Sequence, residues 1–378
     1  MKRKRILAMI LAVASCLSLA VGVSAANTVA RKATDFRDYD RTAWYAEAVS
    51  AAVDNGLLYG KSATVIDPNG DMTRAEMAAI INRSFGCYKI TDISQYKDVS
   101  KSKWYYKDVA LAVQMGTYNG RSASAMAPDA PISRQEAMTV VARALELDYD
   151  TYAKTDLSAF SDRGKISDWA LPYVRAMVGA DYIHGRGKVL APQDNITRAE
   201  FAQIFANIIS SYITVKGTYD KDIKGSVLIR TDEVTLQNMT VAGDLIIGCG
   251  AADGKIVLDN VKVTGRLLVW GGGTKAVYCN NGTQMPEVVV ARVDDAVKVI
   301  YDRDSTLAVI DTIKTRITER AKQNKETEII FYDASDLREA QKQLNAIVAD
   351  NQLSVIAPAH LYCRGTVGKS GVHEQQQE

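Results

Sequence analysis

The chain has 378 residues, 47% of them hydrophobic and 24% charged, with 46 Lys+Arg against 44 Asp+Glu. A chain of this length holds two or three domains, and the apolar share is enough to bury a core in each, which excludes bulk disorder. So even a charge balance leaves no basic footprint for a nucleic-acid partner.

The N-terminus has a basic run from Met1 to Arg5, an apolar run from Ile6 to Val23, and the small residues Ser24 and Ala25. That is the form of an export signal, with residues 1–25 removed by cleavage after Ala25. Its loss takes four basic side chains and leaves 42 Lys+Arg against 44 Asp+Glu, a formal −2. Two alternatives stay open. The run is at the short end of membrane-spanning length, and Val13 to Cys16 has the form of a lipobox. The mature form is expected to have no transmembrane segment, and residues 26–35 read as a linker. The remaining Cys87, Cys249, Cys279 and Cys363 lack the spacing of a metal knot. A Cys249–Cys279 bond and buried free thiols are both compatible with the sequence.

Between Phe36 and Ile209 the sequence repeats itself three times. Each unit opens on an aromatic residue and an aspartate two positions later: Phe36 and Asp38, Tyr96 and Asp98, Phe160 and Asp162. Tryptophan follows at Trp44, Trp104 and Trp169, spaced 60 and then 65 residues apart. A short apolar-striped helix comes next and ends in a glycine loop, with Gly56 and Gly60, then Gly116 and Gly120, then Gly185. In the third unit Asp181 replaces the first loop glycine. Pro68, Pro128 and Pro192 then separate each loop from a second helix. The units span 36–90, 91–152 and 153–214.

The second helices begin Thr73-Arg74-Ala75-Glu76, Ser133-Arg134-Gln135-Glu136 and Thr197-Arg198-Ala199-Glu200. A hydroxyl at the N-cap with glutamate three residues on is a capping box, in which each side chain satisfies an orphan backbone N–H. The arginine has no part in that box, and its charge opposes the macrodipole by about a few tenths of a kcal/mol. Three arginines beside unpaired helix N–H groups suggest a corner for a carboxylate or phosphate. The plainer alternative is a solvated arginine, or one paired with Asp38 or Asp98. Behind the caps, stripes such as Met77, Ile80 and Ile81 or Phe201, Ile204 and Phe205 are core. A two-helix unit cannot bury such a stripe alone. Three should therefore pack together, with grooves where one unit's loop meets the next unit's tryptophan.

These units resemble S-layer homology domains, over about half of the mature chain. The resemblance implies an all-α, pseudo-threefold assembly on the wall or S-layer of a bacterium, held noncovalently to a pyruvylated secondary cell-wall polysaccharide. It implies that Arg74, Arg134 and Arg198 receive the ketal carboxylate and that Trp44, Trp104 and Trp169 pack on the sugar face. Gly60 and Lys61, Gly120 and Arg121, and Gly185 and Arg186 would line the grooves. Aromatic faces suit the apolar side of a pyranose, and a guanidinium fork suits a carboxylate. The third unit departs most from the pattern, with one residue fewer between Gly185 and Pro192, so its groove is the most doubtful of the three.

From about Gly217 the apolar residues alternate instead. Val234 to Ile247 aligns with Ile256 to Val269 at an offset of 22, matching Leu236 to Leu258, Asn238 to Asn260 and Gly243 to Gly265. Short strands at a fixed period predict a mostly-β domain over 217–360, a short β-solenoid, with a small antiparallel sandwich as the alternative. A further rung is expected through Ala276 to Val290. Glu328 to Tyr332 reads as a strand, Ala334 to Val348 as a C-terminal helix, and 361–378 as a loose tail. Asp294, Asp295, Asp302 and Asp304 are the candidate carboxylates for a glycan-active enzyme, but adjacent pairs in a charged loop define no cleft. With His184, His360 and His373 as the full histidine set, metal and Ser-His-Asp chemistry are poorly served. The expectation is a noncatalytic structural or adhesive module without a cofactor. A wall-anchored glycosidase or lyase is the alternative, and self-assembly is left open.

Overall fold

A computed structural model describes residues 31–305 apart from 87–88, 252–253, 272–276, 294–296 and 303, together with strands at 314–317, 328–331, 353–354 and 360–363. The expected export signal and C-terminal helix, Asp294 and Asp295, and residues 364–378 of the expected tail lie outside the described residues, whereas residues 361–363 of that tail belong to a strand.

Each repeat folds into two helices: α1 (Ala46–Asp54) and α2 (Arg74–Phe85), α3 (Tyr106–Met115) and α4 (Arg134–Ala144), α5 (Leu171–Gly179) and α6 (Arg198–Ile208). All three capping boxes form, with Thr73, Ser133 and Thr197 accepting from the amides of Glu76, Glu136 and Glu200 and each glutamate returning the bond. The apolar stripes pack across repeats, α2 on α3, α4 on α5 and α6 on α1, so the chain closes a ring. At its centre the Met72 amide donates to the Ile196 carbonyl (3.0 Å), Ile196 to Ile132 (3.1 Å) and Ile132 to Met72 (3.0 Å). This cycle, between three fully buried residues, marks a pseudo-threefold axis.

The opening motif of each repeat braces its own loop. Asp38 accepts from the amides of Ile66 and Asp67, Asp98 from Met126 and Ala127, and Asp162 from Leu190 and Ala191. Burial would push the Asp38 and Asp162 carboxyls up, but their backbone donors hold both below the usual range. The loop glycine lies against the opening aromatic ring. A Cβ at Gly60 would come within 2.4 Å of Phe36, at Gly120 within 2.4 Å of Tyr96, and at Gly185 within 2.7 Å of Phe160. Aromatic, aspartate and glycine thus form one folding device, and the arginines are not the partners of Asp38 and Asp98.

The C-terminal half is a β-solenoid of parallel strands, which replaces the antiparallel alternative. Odd-numbered strands β1 (Ile209–Ile213), β3 (Ser226–Ile229), β5 (Leu245–Ile247), β7 (Arg266–Val269), β9 (Glu287–Val290), β11 (Lys314–Ile317) and β13 (Leu353–Ser354) form one sheet. Even-numbered strands β2 (Gly217–Tyr219), β4 (Val234–Val241), β6 (Ile256–Val263), β8 (Val277–Asn280), β10 (Lys298–Tyr301), β12 (Glu328–Phe331) and β14 (His360–Cys363) form the other. The 22-residue offset is the rung itself, since Leu236 sits beside Leu258 in register. Asn238, Asn260 and Asn281 take the corner at φ 50°, 53° and 54°, a left-handed conformation that asparagine tolerates. Strand β1 falls within the span 153–214 given to the third repeat, because α6 runs straight into it at Ile209. Cys279 is a buried free thiol with its pKa pushed up by burial.

The odd-strand sheet is apolar on both faces. Val227, Leu245, Leu267 and Val288 point into the solenoid, whereas Leu228, Ile246, Leu268 and Val289 join the core of the helical ring. Solenoid side chains also satisfy orphan carbonyls at helix C-termini. Trp270 Nε1 donates to Ala144 (2.9 Å), Arg266 Nη1 to Leu145 and Glu146 (3.1 Å each), and Arg230 Nε to Arg83 (3.1 Å).

Candidate functional site

The three motif arginines are not free anion receptors. Arg74, Arg134 and Arg198 are only 4%, 5% and 2% exposed, and each reaches into the next repeat of the ring. Arg74 Nε donates to Met126 O and its Nη1 pairs with Glu136 at 2.8 Å. Arg134 Nε donates to Leu190 O and Nη1 lies 3.0 Å from Glu200. Arg198 Nε donates to Ile66 O and Nη1 lies 3.4 Å from Glu76. The helix amides beside them are also taken. Arg74 N and Ala75 N donate to Ala130 and Pro128, Arg134 N and Gln135 N to Asp194 and Pro192, and Arg198 N and Ala199 N to Gly70 and Pro68. The corner of unpaired N–H groups read from sequence is therefore corrected: the next repeat's proline loop fills it. The arginine does have a folding duty, which is to lock one repeat to the next.

Each capping glutamate has a second cation from its own repeat's loop. Lys61 Nζ lies 2.6 Å from Glu76, Arg121 Nη2 3.2 Å from Glu136, and Arg186 Nε 2.6 Å from Glu200. These loop cations are the accessible members, with side chains 34%, 44% and 39% exposed. Burial alone would raise the three glutamate carboxyls, but hydrogen bonds from the loop cations and N-cap amides, with the arginine charges, hold them below the usual range. Sequence reasoning had confined these glutamates to capping. A cation recurring in the loop 14 or 15 residues before each of them is the signal that could have revealed the second role.

The tryptophans stand where a ligand could meet them. Trp44, Trp104 and Trp169 are 63%, 60% and 52% exposed, and in two repeats a buried tyrosine holds the indole edge-on, Tyr45 under Trp44 and Tyr105 under Trp104. Leaving three indoles more than half exposed forgoes part of the roughly 1.5–3 kcal/mol that full burial of a large apolar side chain contributes.

One hollow brings the expected pieces together. A cavity of about 370 Å³ is lined by Trp44 of the first repeat, Arg134 of the second, and Gly185, Arg186 and Glu200 of the third. This hollow lies at the third unit, whose groove is the most doubtful on sequence grounds. Tyr182, His184, Gln203 and Asn207 also line it and were not anticipated. Gln203 donates to Asn207 (2.9 Å) and Asn207 to the Tyr182 carbonyl (3.0 Å), a polar row at helical spacing beside the apolar stripe of α6. Gly60 lines a different cleft of about 780 Å³, between the first repeat and the solenoid, with Phe36, Tyr59 and Arg230.

Comparison with known proteins matches residues 35–78, 95–138 and 159–202 to the S-layer homology domain family. The chain carries three S-layer homology domains. Each matched segment covers the first helix of a repeat and the first turn of its second helix. The chain is 32% identical over 223 residues to the surface-layer 125 kDa protein of Lysinibacillus sphaericus, covering 58% of this chain and 18% of that one. It is 20% identical over 254 residues to the S-layer protein sap of Bacillus anthracis, covering 67% and 29%. An endoglucanase of Bacillus sp. (strain KSM-635) is 25% identical over 210 residues, covering 54% and 22%. The chain thus spans less than a third of each relative's length. S-layer homology domains place it at the cell surface, and among the described residues no helix is long and apolar enough to cross a membrane.

Proposed function

We propose that the S-layer homology domains hold this protein noncovalently on a bacterial cell wall by binding an acidic, pyruvylated sugar of a secondary wall polysaccharide. The observation that carries this reading is the hollow in which Trp44, Arg134 and Arg186 converge from three repeats. The indole offers a face for the pyranose, Arg186 is the accessible cation that first meets the ketal carboxylate, and Arg134 lies behind it. By the pseudo-threefold relation, Lys61 backed by Arg198 and Arg121 backed by Arg74 serve the other two grooves, with Trp104 and Trp169 as their indoles. Pelleting with purified walls tests the reading: the mature protein should co-sediment and Trp44→Ala combined with Arg186→Ala should co-sediment less. Equal sedimentation of the two would contradict it.

The solenoid serves in this reading as a noncatalytic structural or adhesive module that needs no cofactor. In support, Asp302, a candidate catalytic carboxylate, accepts from the backbone amides of Asn281 and Ser305, which is the work of a corner brace. The endoglucanase relative supports an enzyme reading only weakly, since S-layer homology domains account for the likeness.

A further inference from the structure

We propose that Glu76, Glu136 and Glu200 are built-in stand-ins for the ligand's carboxylate, so that an acidic sugar binds by displacing one glutamate oxygen from its two cations. This rests on the wall-sugar reading above and names what sets its selectivity.

In each glutamate Oε2 serves the helix start and Oε1 the motif arginine, while Arg121 and Arg186 of the second and third loops each reach both oxygens. In the third repeat Oε2 takes the Thr197 amide at 3.0 Å, which completes the capping box. Oε1 faces away from the cap, 3.0 Å from Arg134 Nη1 and 2.6 Å from Arg186 Nε. The division recurs in the second repeat, where Oε2 of Glu136 takes the Ser133 amide at 2.8 Å and Oε1 lies 2.8 Å from Arg74 Nη1. In the first, Oε2 of Glu76 takes the Thr73 amide at 3.0 Å, while Oε1 lies 2.6 Å from Lys61 Nζ and 3.4 Å from Arg198 Nη1. Folding the helix start uses one oxygen. The other occupies a seat shaped for a carboxylate, between a buried guanidinium and an exposed cation.

Charge makes the exchange feasible. In the first two clusters two cations face one glutamate, so an incoming monoanion meets a net positive site and neutralises it while the glutamate keeps its cap. Only the hydrogen bonds of Oε1 need be given up, and the second bonds of Arg121 and Arg186, to Oε2, can stay. A neutral sugar has nothing to exchange, and so meets a seat already filled. In the third groove Asp194 also holds Arg186 at 2.9 Å, so that cluster is already balanced and should yield last.

The test uses the mature protein, titrated calorimetrically with a hexose bearing a cyclic pyruvate ketal and with its neutral methyl ester. Glu136→Gln and Glu76→Gln keep an oxygen for the cap amide and remove the competing charge. Each should tighten binding of the ketal acid about tenfold, the size of one partly screened ion pair, and leave the ester unchanged. Unchanged or weaker binding by folded variants overturns the proposal, because glutamates that merely orient the cations would give that result. As a check that needs no variant, the carboxyl carbon resonances of these glutamates in the ¹³C-labelled wild type should move on saturation with the acid. Saturable binding with all three unmoved also overturns it. Failure of the wild type to bind the acid at all defeats the wall-sugar reading instead.

Discussion

Arg134 shows how much one residue's meaning depends on its neighbours. Its place in the first turn of α4 was legible in the sequence, as was the capping box around it, because both are local patterns. Its partner was not, since Glu200 lies 66 residues away in another repeat and only ring closure brings the two together. Burial lowers the Arg134 pKa while Glu200 opposes the shift, as expected of a cation taken out of water and then paired. Arg134→Ala should therefore lose about 1–3 kcal/mol of stability by denaturant unfolding, through the buried bonds to Leu190 and Glu200 that it removes, while Arg186 still pairs with Glu200. Thr73→Ala, which removes only a cap, should lose about 1 kcal/mol. Trp44→Ala should stay within about 0.5 kcal/mol of the parent because the indole is mostly in water, and it should weaken wall binding.

At the scale of elements, the helices were legible because their stripes and caps repeat, and the solenoid rung because Leu236 and Leu258 keep a 22-residue register. The docking of the odd-strand sheet was hidden. Strands such as Ser226–Ile229 are buried at every position, and a continuous apolar run does not say what covers its second face. The glutamate clusters give this scale its pH dependence. Each glutamate is held below its ordinary value of 4.5, so the stability it contributes is complete above that value and is lost as pH falls through the lower folded one. The melting temperature should accordingly drop on acidification below about pH 4.5, and less so in a protein carrying all three Glu→Gln changes.

The whole molecule is organised around the joint between ring and solenoid. The polar centre of the ring lies at the N-terminal ends of α2, α4 and α6. Of their C-terminal ends, those of α2 and α4 meet Arg230, Arg266 and Trp270, and that of α6 runs directly into β1. A load on the solenoid therefore passes into the anchoring repeats through buried contacts. Trp270 is 1% exposed, and its loss should uncouple the two halves. Calorimetry of the wild type should show one unfolding transition and Trp270→Ala two, with about 3–5 kcal/mol lost from the joint.

The proposed function has the clefts reading a ketal carboxylate on the wall. It is measured by co-sedimentation of the protein with purified walls before and after mild acid has removed the pyruvate ketals. Binding to untreated walls and its loss after treatment is the expected result. Undiminished binding to ketal-free walls would contradict the account.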